Sequence, residues 1–213
     1  LGSSAAATVA GLVAAGAIAG RELESERALR LATDVEGHSD NVAPALLGGL
    51  VASVELSDRV EAIRLEPPTG VRIVAWIPER RLSTAEMRHV LPVTVPRADA
   101  VANLARVAVG VAGLASGRAD VLGLLTEDRL HEPYRAAVYP ELPDLVAAAR
   151  DAGALGASLA GAGSTVAAFV DAADAAAIAR VGDALRVTAS RVHLPGRLLT
   201  LHPAAAGATV TAR

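Results

Sequence analysis

The sequence has no cysteine. Disulfide scaffolds, thiolate zinc sites and thiol catalysis are therefore excluded, and a cytoplasmic setting fits best. Aromatic residues are scarce: Trp76, Tyr134, Tyr139 and Phe169 make up 2% of the chain. A surface that stacks single-stranded bases needs more aromatic platforms than these. Excess positive charge is also lacking. The formal net charge is −3 and the isoelectric point lies near 6.0, so there is no basic footprint for a nucleic-acid backbone. The most apolar stretch, Ala5–Ala19, is shorter than the roughly 20 residues that cross a bilayer, and it lacks the basic flank of a signal peptide. No membrane partner is expected. What remains is 213 residues, 52% hydrophobic and 20% charged, a globular composition with room for one or two domains and a sizeable core.

Leu1 opens directly onto a Gly-Ser-Ser turn, which reads as a start inside a domain. Ser3 and Ser4 are candidate N-caps for an Ala-rich helix running to about Ala19 and stopped by Gly20. A charged helix is expected over Ser25–Thr33, followed by the polar loop Glu36–Asn41 and a turn over Pro44–Gly49. Residues 50–56, 59–66 and 71–77 read as strands, with a turn at Pro67-Pro68-Thr69-Gly70. Ser83–Glu86 is a capped helix start. Ala98–Ala115 reads as a buried helix, 119–130 as another, His131–Arg135 as a loop and Leu145–Ala152 as a helix. Ser158-Leu159 and Val166–Val170 flank a glycine loop, 173–185 is helical, and Val187–Leu194 reads as a strand. After Pro203 an Ala/Gly/Thr-rich flexible tail is expected over 204–213. This order implies an α+β fold with sheets covered on one face. The domain boundary is placed between Arg80 and Arg97, giving segments 1–82 and 83–203.

Four stretches could carry chemistry. Gly2-Ser3-Ser4-Ala5 precedes a helix whose unpaired N–H groups suit phosphate oxygens, with hydroxyls able to ligate Mg²⁺; it is equally a plain helix cap. Glu36-Gly-His-Ser-Asp-Asn41 gathers hard oxygen ligands and an amide suited to a small polar ligand, or is a solvated loop. Thr84 and Arg88 share a helix face, and Arg135 sits in an exposed-looking loop further along; two guanidinium groups could clamp one carboxylate or simply make surface ion pairs. Gly161-Ala-Gly-Ser-Thr165 is a tight turn or a phosphate contact.

In combination and order these stretches resemble the GHMP kinase superfamily and, within it, the homoserine kinase branch. Leu1-Gly-Ser-Ser-Ala-Ala6 is similar to the end of the superfamily's phosphate loop. Glu36-Gly-His-Ser-Asp-Asn-Val-Ala-Pro44 with Leu47-Gly-Gly49 resembles a stretch typical of the branch, with Ser39 in place of the usual proline. Leu82–Arg88 and Asp128–Arg135 resemble two further signatures of that branch, and Ala154–Thr165 resembles the third superfamily motif. The superfamily's first motif and the first half of its phosphate loop have no counterpart, so the chain is expected to lack an N-terminal part.

The resemblance implies a GHMP kinase fold: a partial ribosomal S5 domain 2-like N-terminal domain that binds ATP, then a ferredoxin-like C-terminal domain. It implies ATP-dependent phosphorylation of L-homoserine with Mg²⁺. Gly2, Ser3, Ser4 and Ala5 would hold the nucleotide phosphates, and Ser4 and Glu36 the metal, with Asp34 as the alternative carboxylate. His38, Asp40 and Asn41 would line the homoserine pocket. Arg88 and Arg135 would bind the substrate carboxylate with Thr84 nearby, and Gly161 and Gly163 would support the pocket floor. A homodimer is expected on the same ground. Two other readings stay open: a superfamily kinase acting on mevalonate-type or isoprenoid-precursor alcohols, and a noncatalytic binding or dimerising domain.

Overall fold

The computed structural model describes residues 2–21 and 23–211; Leu1 of the first motif and the last two tail residues lie outside them. The chain divides into two units, residues 2–67 with 203–211, and residues 68–202.

In the first unit, α1 (Ser3–Ile18), α2 (Ser25–Glu36) and α3 (Val42–Leu47) pack with a hairpin of β1 (Leu50–Glu55) and β2 (Val60–Leu65). Alanine propensity favours α1, but only Ala5 and Val9 are fully buried on it. In α2 the apolar positions Ala28, Leu29 and Ala32 fall on one stripe and are buried together. Its end is set by Gly37, which adopts a left-handed φ of 74° and returns its N–H to the Thr33 carbonyl. The helix thus runs one turn past the expected Thr33, which places Glu36 on regular helix. The expected turn over Pro44–Gly49 is mostly helix, since Pro44 tolerates a first-turn position. β1 and β2 pair antiparallel, Leu50 opposite Leu65 and Glu55 opposite Val60.

Two expectations change here. The tail after Pro203 is docked: the Ala204 carbonyl accepts from Gly49 N–H, and Ala208 N–H donates to the Ala45 carbonyl. Arg64 adds a 2.8 Å bond to the Ala205 carbonyl. These three backbone groups anchor the tail, which composition alone does not reveal. The division of the chain also falls at Pro67/Pro68 and not between Arg80 and Arg97, because the strand over 71–78 pairs with strands from the far end of the chain.

In the second unit, β3 (Val71–Pro78), β4 (Gly156–Leu159), β5 (Val166–Asp171) and β6 (Gly196–Leu201) form an antiparallel sheet in the order β4-β5-β3-β6. Helices α8 (Leu142–Asp151) and α9 (Ala175–Arg191) complete a βαββαβ order, which with this strand order is the ferredoxin-like arrangement expected. Val74, Leu142, Leu145, Val166, Val181 and Leu185 are at the centre of the core. Of the expected strand at Val187–Leu194, residues 187–191 are instead the end of α9 and 192–194 the turn that follows it. Val181, Leu185, Thr188 and Ala189 are buried at helical spacing, and this packing outweighs the β-branched local content. The strand follows at Gly196.

Between β3 and α8 lie α4 (Thr84–His89), α5 (Arg97–Ala115), a 3₁₀ turn (Ala119–Val121) continuing into α6 (Leu122–Leu125), and α7 (Glu132–Arg135). The helix expected over 119–130 stops at Leu125, and the loop expected at 131–135 contains a helical turn. α5 was expected to be buried. Only Gly110 is: its missing side chain admits Leu125, with which an added Cβ would collide. By length and composition α5 could cross a membrane, yet its polar side chains bind neighbouring elements of its own unit.

Candidate active site

In the first unit the open end of α1 meets the end of α2. Gly2, at a φ of 65°, precedes the first helical residue, and the first helical bond runs from Ala6 N–H to the Gly2 carbonyl. The N–H groups of Ser3, Ser4 and Ala5 therefore lack intrahelical acceptors and carry the positive end of the helix dipole. Ser3 and Ser4 are in the first turn and neither caps the helix; the cap reading gives way to a different use of Ser4. Its Oγ donates to Glu36 Oε1 at 2.9 Å, and Thr8 Oγ1 donates to the same oxygen at 2.6 Å. Ser4 and Thr8 are four residues apart and share a helix face. Thr8 and then Ser4 hold the Glu36 carboxyl below its usual range. Asp34 points elsewhere and pairs with Arg30 at 2.9 Å.

Asn41 approaches the same end of α1, since a Cβ on Gly2 would lie 3.1 Å from Asn41 Oδ1. A side chain at position 2 would thus crowd Asn41 as well as strain the backbone. Asp40 Oδ1 accepts from Asn41 N–H at 2.9 Å and lies 2.6 Å from His38 Nδ1. Ser39 is buried, its N–H bound to Glu55 and its hydroxyl 3.0 Å from that of Ser53. The 36–41 segment is thereby a fixed turn. Ala5, by contrast, spends its methyl in the core, leaving only its N–H for a ligand.

In the second unit Thr84 and Arg88 lie exposed on α4, and Arg135 is half-buried on α7. Arg135 Nη1 donates to the Gly161 carbonyl at 2.8 Å and Nε to the Met87 carbonyl at 3.3 Å. It therefore ties α4 to the glycine loop. Burial, with the like charge of Arg88 and against Asp128 and Glu132, lowers the Arg135 guanidinium below its ordinary value. Among the described residues neither Arg88 nor Arg135 has an acidic partner within ion-pair distance. Neither guanidinium is thus directly ion-paired, and two of Arg135's donors are already engaged, which leaves Nη2 as its free amine. Gly161 and Gly163 sit at φ values of 59° and 94° in the turn between β4 and β5. That turn is held by Ala160 N–H to the Thr165 carbonyl and by Tyr139 Oη to the Ser164 carbonyl.

Sequence reading passed over three residues. Thr8 was detectable from its spacing to Ser4. Asp128 accepts from the N–H groups of Leu130, His131 and Glu132 and from Asn103 Nδ2. Burial raises its carboxyl, but His131 and these donors more than offset it and hold it below the carboxylate range. Glu132 accepts from Leu159 N–H, and burial pushes its carboxyl up. Together they shape the loop that presents Arg135. Among the described residues no group of three acidic or imidazole side chains is placed to hold a metal alone.

A GHMP kinases N-terminal domain model matches residues 1–49, and a GHMP kinases C-terminal model matches residues 100–185. A homoserine kinase of Moorella thermoacetica is 49% identical over 189 residues, covering 85% of this chain and 64% of that protein. A homoserine kinase of Thermus thermophilus is 45% identical over 186 residues, covering 87% of this chain and 63% of that protein. The chain thus spans less than two thirds of the length of these curated relatives. The crystal structure of homoserine kinase from Cytophaga hutchinsonii superposes with a TM-score of 0.88 at 31% identity, covering 97% of this chain and 67% of that one. Both kinase-domain matches, the identities and the shared fold agree: the chain belongs to the homoserine kinase family of the GHMP kinases.

Proposed function

We propose that the protein carrying this chain transfers the γ-phosphoryl group of ATP to the hydroxyl of L-homoserine, giving ADP and O-phospho-L-homoserine, in the cytoplasm. The observation that carries this reading is the convergence of Ser4 and Glu36 at the open end of α1. Free N–H groups and a helix dipole attract phosphate oxygens there, while an ionised carboxylate and a hydroxyl sit beside them. Phosphoryl transfer demands placement and charge neutralisation more than covalent help from the protein. The substrate hydroxyl oxygen bonds to the γ-phosphorus, the bond to the bridging oxygen breaks, and the hydroxyl proton leaves to solvent.

Mg²⁺ fits this donor set. Ser4 Oγ and Glu36 Oε1 are hard oxygens already 2.9 Å apart, and Mg²⁺ is usually held by one or two protein oxygens with phosphates and water. Bound there, the ion would neutralise phosphate charge. Ser3, Ser4 and Ala5 N–H groups orient the phosphates. In the second unit, Arg88 and the free Nη2 of Arg135 attract the homoserine carboxylate; in the first, His38, Asp40 and Asn41 offer polar groups to a small ligand beside the phosphate end of α1. Similarity to the Moorella enzyme supports homoserine over mevalonate, which also bears a carboxylate.

The test is ADP release from ATP with L-homoserine or mevalonate as acceptor. Homoserine-dependent release, abolished in Glu36→Gln, is the expected result. Release with mevalonate but not homoserine overturns the substrate. ATP binding without transfer to either alcohol would favour a noncatalytic module.

A further inference from the structure

Arg135 and Tyr139 grip the same loop. The turn that continues α7 returns the N–H groups of Val138 and Tyr139 to the Arg135 carbonyl, at 3.1 and 2.9 Å, which places residues 135 and 139 on one side of it. Arg135 Nη1 donates to the Gly161 carbonyl at 2.8 Å, and Tyr139 Oη donates to the Ser164 carbonyl at 3.0 Å. Tyr139 is wholly buried and belongs to the core of the second unit. The Arg80 guanidinium lies 5.0 Å from its ring centroid and forks onto Glu141 at 2.8 and 3.1 Å. The loop reaches back to the same residue, since Ser164 Oγ donates to the Arg80 carbonyl at 2.7 Å. Burial pushes the Tyr139 phenol up, against the nearby Arg80 charge, so its hydroxyl stays a donor.

We propose that Tyr139 is a positioning residue for Arg135: by fixing the glycine loop, it sets the direction in which the free Nη2 points. This rests on the reading that Arg135 attracts the carboxylate of the acceptor. Gly161 and Gly163 have no side chains to anchor the loop, and glycine leaves one backbone conformation for another at little cost. The Gly161 carbonyl is thus only as fixed as its surroundings make it, and Arg135 is only as fixed as that carbonyl. Two bonds close the turn on itself: Ala160 N–H to the Thr165 carbonyl at 2.9 Å and Gly163 N–H to the Ala160 carbonyl at 3.0 Å. Neither orients it against α7. Tyr139 does, because its ring is set by the core and its hydroxyl ends on the loop three residues from Gly161. A guanidinium placed in advance spends less of its binding energy on being ordered by the carboxylate. A phenylalanine would fill the same space; what the hydroxyl adds is the orientation of the loop.

Tyr139→Phe keeps the ring and removes only the bond to the loop. In the protein carrying this chain it should raise the KM for homoserine about three- to tenfold, as expected for one neutral hydrogen bond, and leave kcat and the KM for ATP nearly unchanged. In an Arg135→Ala background the same change should add nothing to the homoserine KM. Nitrogen NMR of the arginine side chains gives a readout that needs no substrate. With Nε and Nη1 both engaged, rotation about the Arg135 Cζ–Nε bond is hindered, and in Tyr139→Phe it should quicken about three- to tenfold. Arg135→Ala identifies the signal, and circular dichroism checks that each variant is folded. Ser164→Ala, which frees the loop from the Arg80 carbonyl, should shift the rotation the same way and takes the place of Tyr139→Phe if that variant does not fold. A purely structural hydroxyl predicts a lower Tm with Arg135 rotation and homoserine KM unchanged, and that result would overturn the proposal. So would an equal rise in homoserine KM with and without Arg135. If Arg135→Ala itself leaves homoserine kinetics unchanged, the carboxylate reading falls, and the rotation rate alone decides whether Tyr139 sets Arg135.

Discussion

Thr8 donates its hydroxyl to the Glu36 carboxylate at 2.6 Å, closer than Ser4 at 2.9 Å. The residue that most holds Glu36 ionised is thus one helical turn inside α1, away from the loop where phosphate contacts are expected. Thr8→Val keeps the shape and removes the donor. Its Glu36 carboxyl should titrate at higher pH than in the parent, by carbon-detected NMR. The sign for stability follows. A carboxyl held below its usual value stabilises the fold above that value, near 4.5, and loses this contribution as pH falls below it. Thr8→Val should be less stable than the parent above pH 4.5 and should converge with it as pH falls below that value, and it should bind Mg·ATP more weakly.

Arg88 and Arg135 are expected to separate in a way their sequence positions do not show. Replacing either by Ala should raise the KM for homoserine at least about tenfold, equivalent to roughly 1.4 kcal/mol, with ATP binding nearly unchanged. Arg135→Ala should also lower the Tm, because it strands the Gly161 and Met87 carbonyls; Arg88→Ala should not. Lys at 135 should rescue only in part, lacking the planar fork. Homoserine titrations and thermal melts on the same samples check both halves. Unchanged homoserine kinetics in both Ala variants would remove the carboxylate reading.

Asp128→Ala should destabilise the second unit by about 2–3 kcal/mol, since three backbone N–H groups and Asn103 lose one acceptor. Asp128→Asn should recover part of this. The Asp128 carboxyl lies below its usual 3.8, so its contribution is present above that pH and declines as pH falls further. Denaturant midpoints at pH 7 and pH 3 should therefore differ less between Asp128→Asn and the parent at the lower pH.

Two glycines in helices should respond oppositely to alanine. Gly11 has open space around it, so Gly11→Ala should stabilise by about 0.5–1 kcal/mol through helix propensity. At Gly110 the same propensity gain is outweighed by collision with Leu125, because overpacking costs about 1–3 kcal/mol. Chemical denaturation of both variants checks the pair; a stabilised Gly110→Ala would mean that α5 is seated more loosely than described.

Much of this protein is legible in its sequence because the relevant physics is local. Alternation marks β1, β2 and β3, Pro67–Gly70 forces a turn, Gly20 stops α1, and motif order points to the kinase family. Glu36 was preferred to Asp34 from its place in a motif, and its bonds to Ser4 and Thr8 support that choice. The remainder depended on which surfaces meet. Val187–Arg191 has strand-like composition but is helical, because Thr188 and Ala189 continue a buried stripe begun at Ala177. The 204–208 segment looks like a loose tail but is held by backbone bonds to Ala45 and Gly49, far away in sequence. α5 reads as a core helix but turns its polar side chains inward, towards acids and an arginine at 127–129. Local preferences amount to tenths of a kcal/mol per residue, whereas buried contacts and paired backbone groups are each worth about 1 kcal/mol or more. Where the two disagree, tertiary structure decides.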